Sequence, residues 1–327
     1  MNPMHEQRLR LDPALRRLRR ETRLDASKLL WPLFISETAR EAEPIAAMPG
    51  VFRHPLARAG ELAREAARLG LGGVLLFGIP ARKDDAGSGA WDPEGVIPVA
   101  TSRMREAAPD LLVIADVCLC EYTSHGHCAP LDGHRELSRQ GALESYARAA
   151  IAYARAGCQI VAPSGRFDGQ VAAIRDALDG AGFPRTAILS YAVKQASVFY
   201  GPFRDAAGGA PAFGDRRSHQ LDPANAEEAL AVAARDAAEG ADLLMVKPGL
   251  SALDLVYRAK GAFPSLPLAV YQVSGEYAMI ARAADAGAFP RRGAVRESFL
   301  AFARAGADLI ITYFAAEAAR EGWLEGE

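Results

Sequence analysis

Eight short apolar runs, rich in leucine and β-branched residues, alternate with longer alanine-rich amphipathic stretches from Lys28 onward. That alternation leaves few folds open. The runs cover 29–35, 73–79, 111–117, 159–162, 187–192, 243–246, 268–273 and 309–313. Each is apolar almost throughout, as a strand buried on both faces reads. The stretches between them include 60–69, 143–156, 169–181, 224–239, 251–261 and 296–305. Several close with a glycine just ahead of the next strand: Ala156-Gly157-Cys158, Glu239-Gly240-Ala241-Asp242 and Ala305-Gly306-Ala307-Asp308. Glycine takes the left-handed conformation that ends a helix and lets the chain turn straight into a strand. Eight such units in 327 residues fit an α/β fold of the closed (β/α)8 TIM-barrel kind. An open doubly wound sheet is the alternative, and it is weakened by the lack of a Gly-x-Gly-x-x-Gly turn after the first run.

The first 27 residues differ from the rest. They hold Arg8, Arg10, Arg16, Arg17, Arg19, Arg20 and Arg23 without a continuous apolar face. Composition leaves open a solvated, partly disordered arm or a tail packed on a neighbouring subunit. No aromatic residues interleave with the arginines, which disfavours a nucleic-acid arm. The division is therefore an N-terminal arm over 1–27 and a barrel over 28–327. A net charge of -2 gives no electrostatic reason to expect nucleic acid or an anionic membrane as partner. No apolar run approaches the roughly 18 residues of a membrane span, and 1–11 carry no secretory h-region. The expectation is a cytoplasmic enzyme or binding protein.

In a barrel of this kind, functional residues belong at the C-terminal ends of the strands. There the third run ends in Asp116 and enters Cys118-Leu119-Cys120 and on to Cys128, the fourth ends in Pro163-Ser164, and the fifth leads to Lys194. The sixth ends at Lys247, the seventh reaches Ser274 and the eighth carries Tyr313. Three of the four cysteines fall within eleven positions, which suits a metal site in a reducing compartment better than a disulfide framework. Three thiolates on one loop hold Zn²⁺ and leave its fourth position open for catalysis. Alternatively, His125 or His127 closes the site as a structural Cys₃His centre, or the thiols carry no metal. Cys158, at the start of a strand, reads as a small buried hydrophobe.

Only five lysines occur, Lys28, Lys83, Lys194, Lys247 and Lys260. Desolvation at a barrel mouth lowers a lysine's pKa, and a second lysine nearby lowers it further. Lys247 then becomes a free amine able to form a Schiff base with a ketone, against the plain alternative of a lysine reaching out to solvent. Arg204 and Arg216 flank a glycine- and alanine-rich segment, 206–212, which reads as a loop folding over the mouth and presenting guanidinium groups to a carboxylate.

Asp116-Val-Cys-Leu-Cys-Glu-Tyr-Thr-Ser-His-Gly-His-Cys128 resembles the zinc loop of the porphobilinogen synthase family, also called 5-aminolevulinate dehydratases. Ser190-Tyr-Ala-Val-Lys194, Phe199-Tyr-Gly-Pro-Phe-Arg-Asp205, Met245-Val-Lys247-Pro-Gly, Val273-Ser274-Gly-Glu-Tyr-Ala-Met279 and Ile311-Thr-Tyr313 resemble its later motifs, in family order. The resemblance implies condensation of two molecules of 5-aminolevulinate to porphobilinogen, in tetrapyrrole (haem) biosynthesis. In it Lys247 forms the Schiff base, and Ser274 and Tyr313 hold that substrate's carboxylate. Lys194 engages the second substrate, whose carboxylate meets Arg204 and Arg216 with Gln220 close by. Zn²⁺ sits on Cys118, Cys120 and Cys128, while Asp116 and Ser164 line the pocket. It further implies a homo-octamer assembled through N-terminal arms. The chain departs from the pattern at Ser164-Gly165-Arg166-Phe167-Asp168-Gly169, where relatives commonly read Ser-Asp-Met-Met-Asp-Gly. Ala252 stands in place of a frequent tyrosine. Val232 replaces the glutamate that serves an allosteric Mg²⁺ in some bacterial members, so no Mg²⁺ activation is expected. A generic Schiff-base aldolase on the same barrel leaves the cysteine loop and the second lysine unused. A zinc-stabilised scaffold leaves Lys247 unused.

Overall fold

All eight apolar runs fold as parallel strands in the computed structural model, which describes residues 5–325. In barrel order they are β1 (Leu29–Ser36), β2 (Gly73–Ile79), β3 (Leu112–Val117), β4 (Ile160–Pro163), β5 (Ala187–Lys194), β6 (Leu243–Lys247), β7 (Leu268–Gln272) and β8 (Leu309–Thr312). Each strand pairs with the next, and β8 closes on β1 through Leu29 opposite Ile310 and Leu30 opposite Ile311. The open-sheet alternative is thereby removed. Strand interiors are buried on both faces, as their nearly continuous apolar character requires.

One recurring junction sets the lower end of the barrel. The three helix-closing glycines adopt the left-handed conformation, with φ of 98° at Gly157, 101° at Gly240 and 110° at Gly306. Two residues later a polar side chain accepts an amide from the first or second residue of the neighbouring strand. Gln159 Oε1 takes Val113 N at 3.0 Å, Asp242 Oδ2 takes Ile188 N at 2.8 Å, and Asp308 Oδ2 takes Leu268 N at 2.8 Å. An edge amide that the ladder leaves free is satisfied in each case, at about 1 kcal/mol per bond.

The six helical stretches appear as Ala59–Arg68, Arg139–Arg155, Gln170–Gly180, Ala226–Ala238, Leu253–Ala262 and Arg291–Ala305. Periodicity alone did not mark helix Val96–Ala107, which opens Val-Ile-Pro-Val. Its β-branched start reads as strand, yet proline is tolerated in a first helical turn. The strands Glu43–Pro44 and Phe52–Pro55, which extend the rim beside β1, also lack an apolar run. One expectation is corrected: the segment read as a loop from 206 is helical at its start. Helix Gly201–Ala207 runs through it and ends at Gly208 with φ of 59°. Pro202 in the first turn and the left-handed glycine are the start and stop signals.

The N-terminal segment carries two short helices, His5–Leu11 and Pro13–Leu18. The second is capped by Asp12, whose carboxylate accepts Ala14 N at 2.7 Å and Leu15 N at 3.2 Å. Leu9, Leu11, Leu15 and Leu18 are all exposed. Residues 1–4 of the arm lie outside the described residues. No helix among the described residues is long and apolar enough to cross a membrane.

Candidate active site

Lys194 and Lys247 lie opposite one another in register, at the C-terminal ends of β5 and β6. The arrangement depends on an irregularity in β5. Ser190 pairs with Leu244 and Val193 with Val246, so β5 carries one extra residue between them. A side chain's face alternates along a strand, and one inserted residue reverses that phase. Before the bulge, Ser190 points out to helix Ala226–Ala238, where its hydroxyl donates to Asp236 at 2.5 Å. Tyr191 therefore faces the barrel axis, and after the bulge Lys194 does too.

The Lys247 ammonium is ringed by aromatic faces. Tyr271 lies 4.3 Å from its Nζ, Tyr191 and Tyr200 each 5.1 Å and Phe203 5.3 Å. Desolvation in this cage, joined by the charge of Lys194, pushes the Lys247 pKa down to about 7. The Tyr200 hydroxyl donates to the Lys247 carbonyl at 3.2 Å and to the Gln195 carbonyl at 2.7 Å, tying both lysine strands together. Lys194 Nζ donates to the Ser164 carbonyl. The Ser164 hydroxyl in turn donates to Asp116 Oδ2 at 2.9 Å. Burial, with the negative charges of Glu121 and Cys118, raises the Asp116 carboxyl well above its usual range.

Beside this pocket the sulfurs of Cys118, Cys120 and Cys128 lie within 4.8 Å of one another, all buried, and all four cysteines are free thiols. Neither His125 nor His127 joins the cluster, which among the described residues offers three sulfurs and no imidazole. Cys118 and Cys120 are 3.4 Å apart. A tetrahedral Zn²⁺ with bonds of about 2.3 Å separates its sulfurs by roughly 3.8 Å, so small adjustments bring the three onto one ion. Arg216 answers their charge. Burial alone would lower its pKa, but the three cysteines and Glu121 raise it. Its guanidinium is anchored on the carbonyls of Gly126, at 2.9 Å, and Gly209. The donor chemistry fits a borderline-soft cation.

The sequence-nominated residues converge unevenly. Asp116, Cys120, Ser164, Lys194, Arg216, Gln220 and Lys247 line one narrow pocket with about 20 Å³ of free volume. Gln220 is placed by the Leu221 amide, which bonds the Lys194 carbonyl at 3.0 Å, and its own amide atoms have no partner. Arg204 lies on an adjoining cavity of about 170 Å³ shared with Arg216 and Gln220. Ser274 stands behind Phe203, accepting the Phe203 amide at 3.0 Å and donating to the Phe199 carbonyl at 3.2 Å. Tyr313 follows β8 and shares a 2.9 Å hydrogen bond with Tyr271, while its ring stacks on Phe34 at 6.0 Å. A larger cavity of about 930 Å³ lies outside, bordered by Arg139, Arg217, His219 and Val232. Its wall shares Gln220 with the pocket but neither lysine.

Sequence reasoning passed over several pocket residues. Glu121 is buried beside the thiols, and burial and the Cys118 charge push its pKa up to about 7. It sat inside the cysteine motif, where spacing drew attention only to the sulfurs. Tyr191 and Tyr271 sit in strands, where an aromatic residue is usually no more than core, and Tyr200 and Phe203 stood in the 199–205 motif without a role of their own.

The family model for Delta-aminolevulinic acid dehydratase matches residues 4–321. Named relatives with that description include those of Synechococcus elongatus, 47% identical over 99% of this chain and 100% of the relative, and Methanothermobacter thermautotrophicus, 51% identical over 94% of each. Among solved structures, the Toxoplasma gondii delta-aminolevulinic acid dehydratase in complex with the reaction product porphobilinogen superposes with a TM-score of 0.94 at 39% identity. That match covers 98% of this chain and 91% of that one. The eight-stranded closed barrel, the paired lysines and these matches over nearly the whole length establish that the chain belongs to the delta-aminolevulinic acid dehydratase family.

Proposed function

We propose that this chain condenses two molecules of 5-aminolevulinate to porphobilinogen, with Lys247 as the amine that forms the Schiff base. The observation carrying this reading is the in-register pairing of Lys194 with Lys247 in one buried pocket beside three thiols. Two amines within reach of each other suit a reaction that must hold two keto-acids at once. The neutral Lys247 amine attacks the ketone of one substrate. The Asp116 carboxyl, held well above its usual range by burial and its negative neighbours, is the pocket group that would pass a proton to the departing hydroxyl. Lys194 engages the second substrate. Arg204 and Arg216 grip that substrate's carboxylate, with Gln220 alongside, while Ser274 and Tyr313 take the carboxylate of the first. Free volume of about 20 Å³ holds little more than one water. Entry of substrate therefore moves Phe203 and the Gly201–Ala207 helix, which also uncovers Ser274.

Cys118, Cys120 and Cys128 are the residues that would hold Zn²⁺, which supplies a Lewis acid next to the second substrate. The exposed leucines of the N-terminal helices support an arm that packs on a neighbouring barrel, consistent with a homo-octamer. The setting is cytoplasmic, where thiols stay reduced.

The deciding experiment is production of porphobilinogen from 5-aminolevulinate before and after chelation. Turnover that disappears on zinc removal and returns on its re-addition supports the substrate and the metal together. A zinc-loaded protein that makes no pyrrole refutes the reaction assignment.

A further expectation concerns pH. Lys247 must be unprotonated to attack, and its pKa is held at about 7. With zinc kept saturating, kcat/KM should fall about tenfold per pH unit below that value. A rate that stays flat down to about pH 5 to 6 would remove Lys247 as the attacking amine.

A further inference from the structure

Tyr146 occupies the wedge between the cysteine loop and the loop after β4. It lies in helix Arg139–Arg155, fully buried, and its hydroxyl donates to the backbone carbonyl of Cys128 at 2.5 Å. Cys128 is the most deeply buried of the three clustered thiols. Gly165 lies against the same hydroxyl end of the ring. A Cβ built at 165 would stand 1.7 Å from the Tyr146 hydroxyl, 2.4 Å from Cζ and 2.7 Å from Cε2. No side chain fits at 165 while Tyr146 keeps its place. The preceding residue, Ser164, hydrogen-bonds Asp116 and accepts Lys194 through its carbonyl. One phenol is thus wedged between the loop bearing the third thiol and the loop that meets Lys194.

We infer that Tyr146 is a positioning residue for metal binding by the three thiols, and that Gly165 is its required counterpart. The inference deepens the zinc reading and rests on it. Anchoring the Cys128 carbonyl restrains the backbone from which its sulfur projects. Ligand supports of this kind are worth about ten- to a hundredfold in metal affinity. The same contact accounts for one of the departures in this loop: with tyrosine at 146, position 165 has room only for glycine.

Tyr146→Phe keeps the ring and removes only the donor. Zinc affinity is read by competition with a chromogenic chelator on folded protein, alongside circular dichroism and Tm. The variant should fold normally and bind zinc about ten- to a hundredfold more weakly. An affinity equal to the wild type overturns the inference while leaving the zinc site standing. If the wild type itself binds no zinc, the metal reading has failed, and this inference with it. Gly165→Ala tests the other half. It should sharply lower Tm alone, and regain most of that loss in combination with Tyr146→Leu, which clears the distal ring atoms. The double variant should still bind zinc weakly, because the donor is absent. Gly165→Ala with a wild-type Tm, or no recovery in the pair, would refute the steric coupling.

Discussion

Replacing Lys247 with methionine should lower turnover by about four orders of magnitude or more, since a covalent catalyst has no partial substitute among its neighbours. Lys194 is a poor stand-in, because its amine donates to the Ser164 carbonyl and shares only Tyr191, at 5.7 Å, with the cage around Lys247. The fold should survive. Lys247 Nζ faces four aromatic rings, and its pKa is depressed to about 7 by burial and by Lys194. A lysine whose folded pKa lies below its unfolded one opposes folding at pH 7. An apolar methionine of similar length relieves that opposition and fills the same space. Trapping supplies the second readout. Borohydride with 5-aminolevulinate should leave a reduced adduct on Lys247 in the wild-type protein, found by peptide mass, and none at that position in the variant. Near-normal turnover by a folded Lys247→Met protein would end the Schiff-base assignment.

The barrel was legible because its strands are buried on both faces, which leaves runs of leucine and β-branched residues that are apolar almost throughout. The glycine junctions at 157, 240 and 306 were legible for an equally local reason, a left-handed residue at a helix end. The site was legible at its chemical extremes, two of only five lysines and three close cysteines. What sequence did not disclose was phase and enclosure. Nothing in Tyr191-Ala-Val-Lys194 announces a bulge, yet without it Lys194 would point away from Lys247. The aromatic cage is drawn from β5, β7 and the 198–207 segment. Its members meet only through the pairing of β6 with β5 and β7 and the fold of the 198–207 segment, so no spacing rule could assemble them. Gly165 looked like a lost side chain, and the reason for it sits nineteen positions upstream in Tyr146.

Removal of the Asp236 carboxylate should produce the largest loss of stability among single changes near the site. Asp236 on helix Ala226–Ala238 accepts Arg166 Nη1 at 3.3 Å, and both side chains are 1% exposed. The Ser190 hydroxyl completes the cluster. Arg166 reaches this position with φ of 70°, a left-handed conformation that a residue with a side chain adopts at a cost. The ion pair helps to hold that turn. Asp236→Ala leaves a guanidinium buried without its counter-charge, and breaking a buried pair in this way costs about 3–5 kcal/mol. Removing both charges should cost far less. In Arg166→Met/Asp236→Leu the desolvation of two ions disappears together with their attraction, and such replacements are often near neutral. Urea denaturation of the wild type, the single variant and the pair separates these outcomes, provided the slopes agree. A single variant within about 1 kcal/mol of the wild type would mean that water or a rearranged carboxylate already serves Arg166. The activity of the double variant adds a functional test, because Arg166 directly follows the Ser164-Gly165 turn that meets Lys194 and Tyr146. Restored stability with impaired turnover would show that this ion pair aims the loop as well as anchoring it.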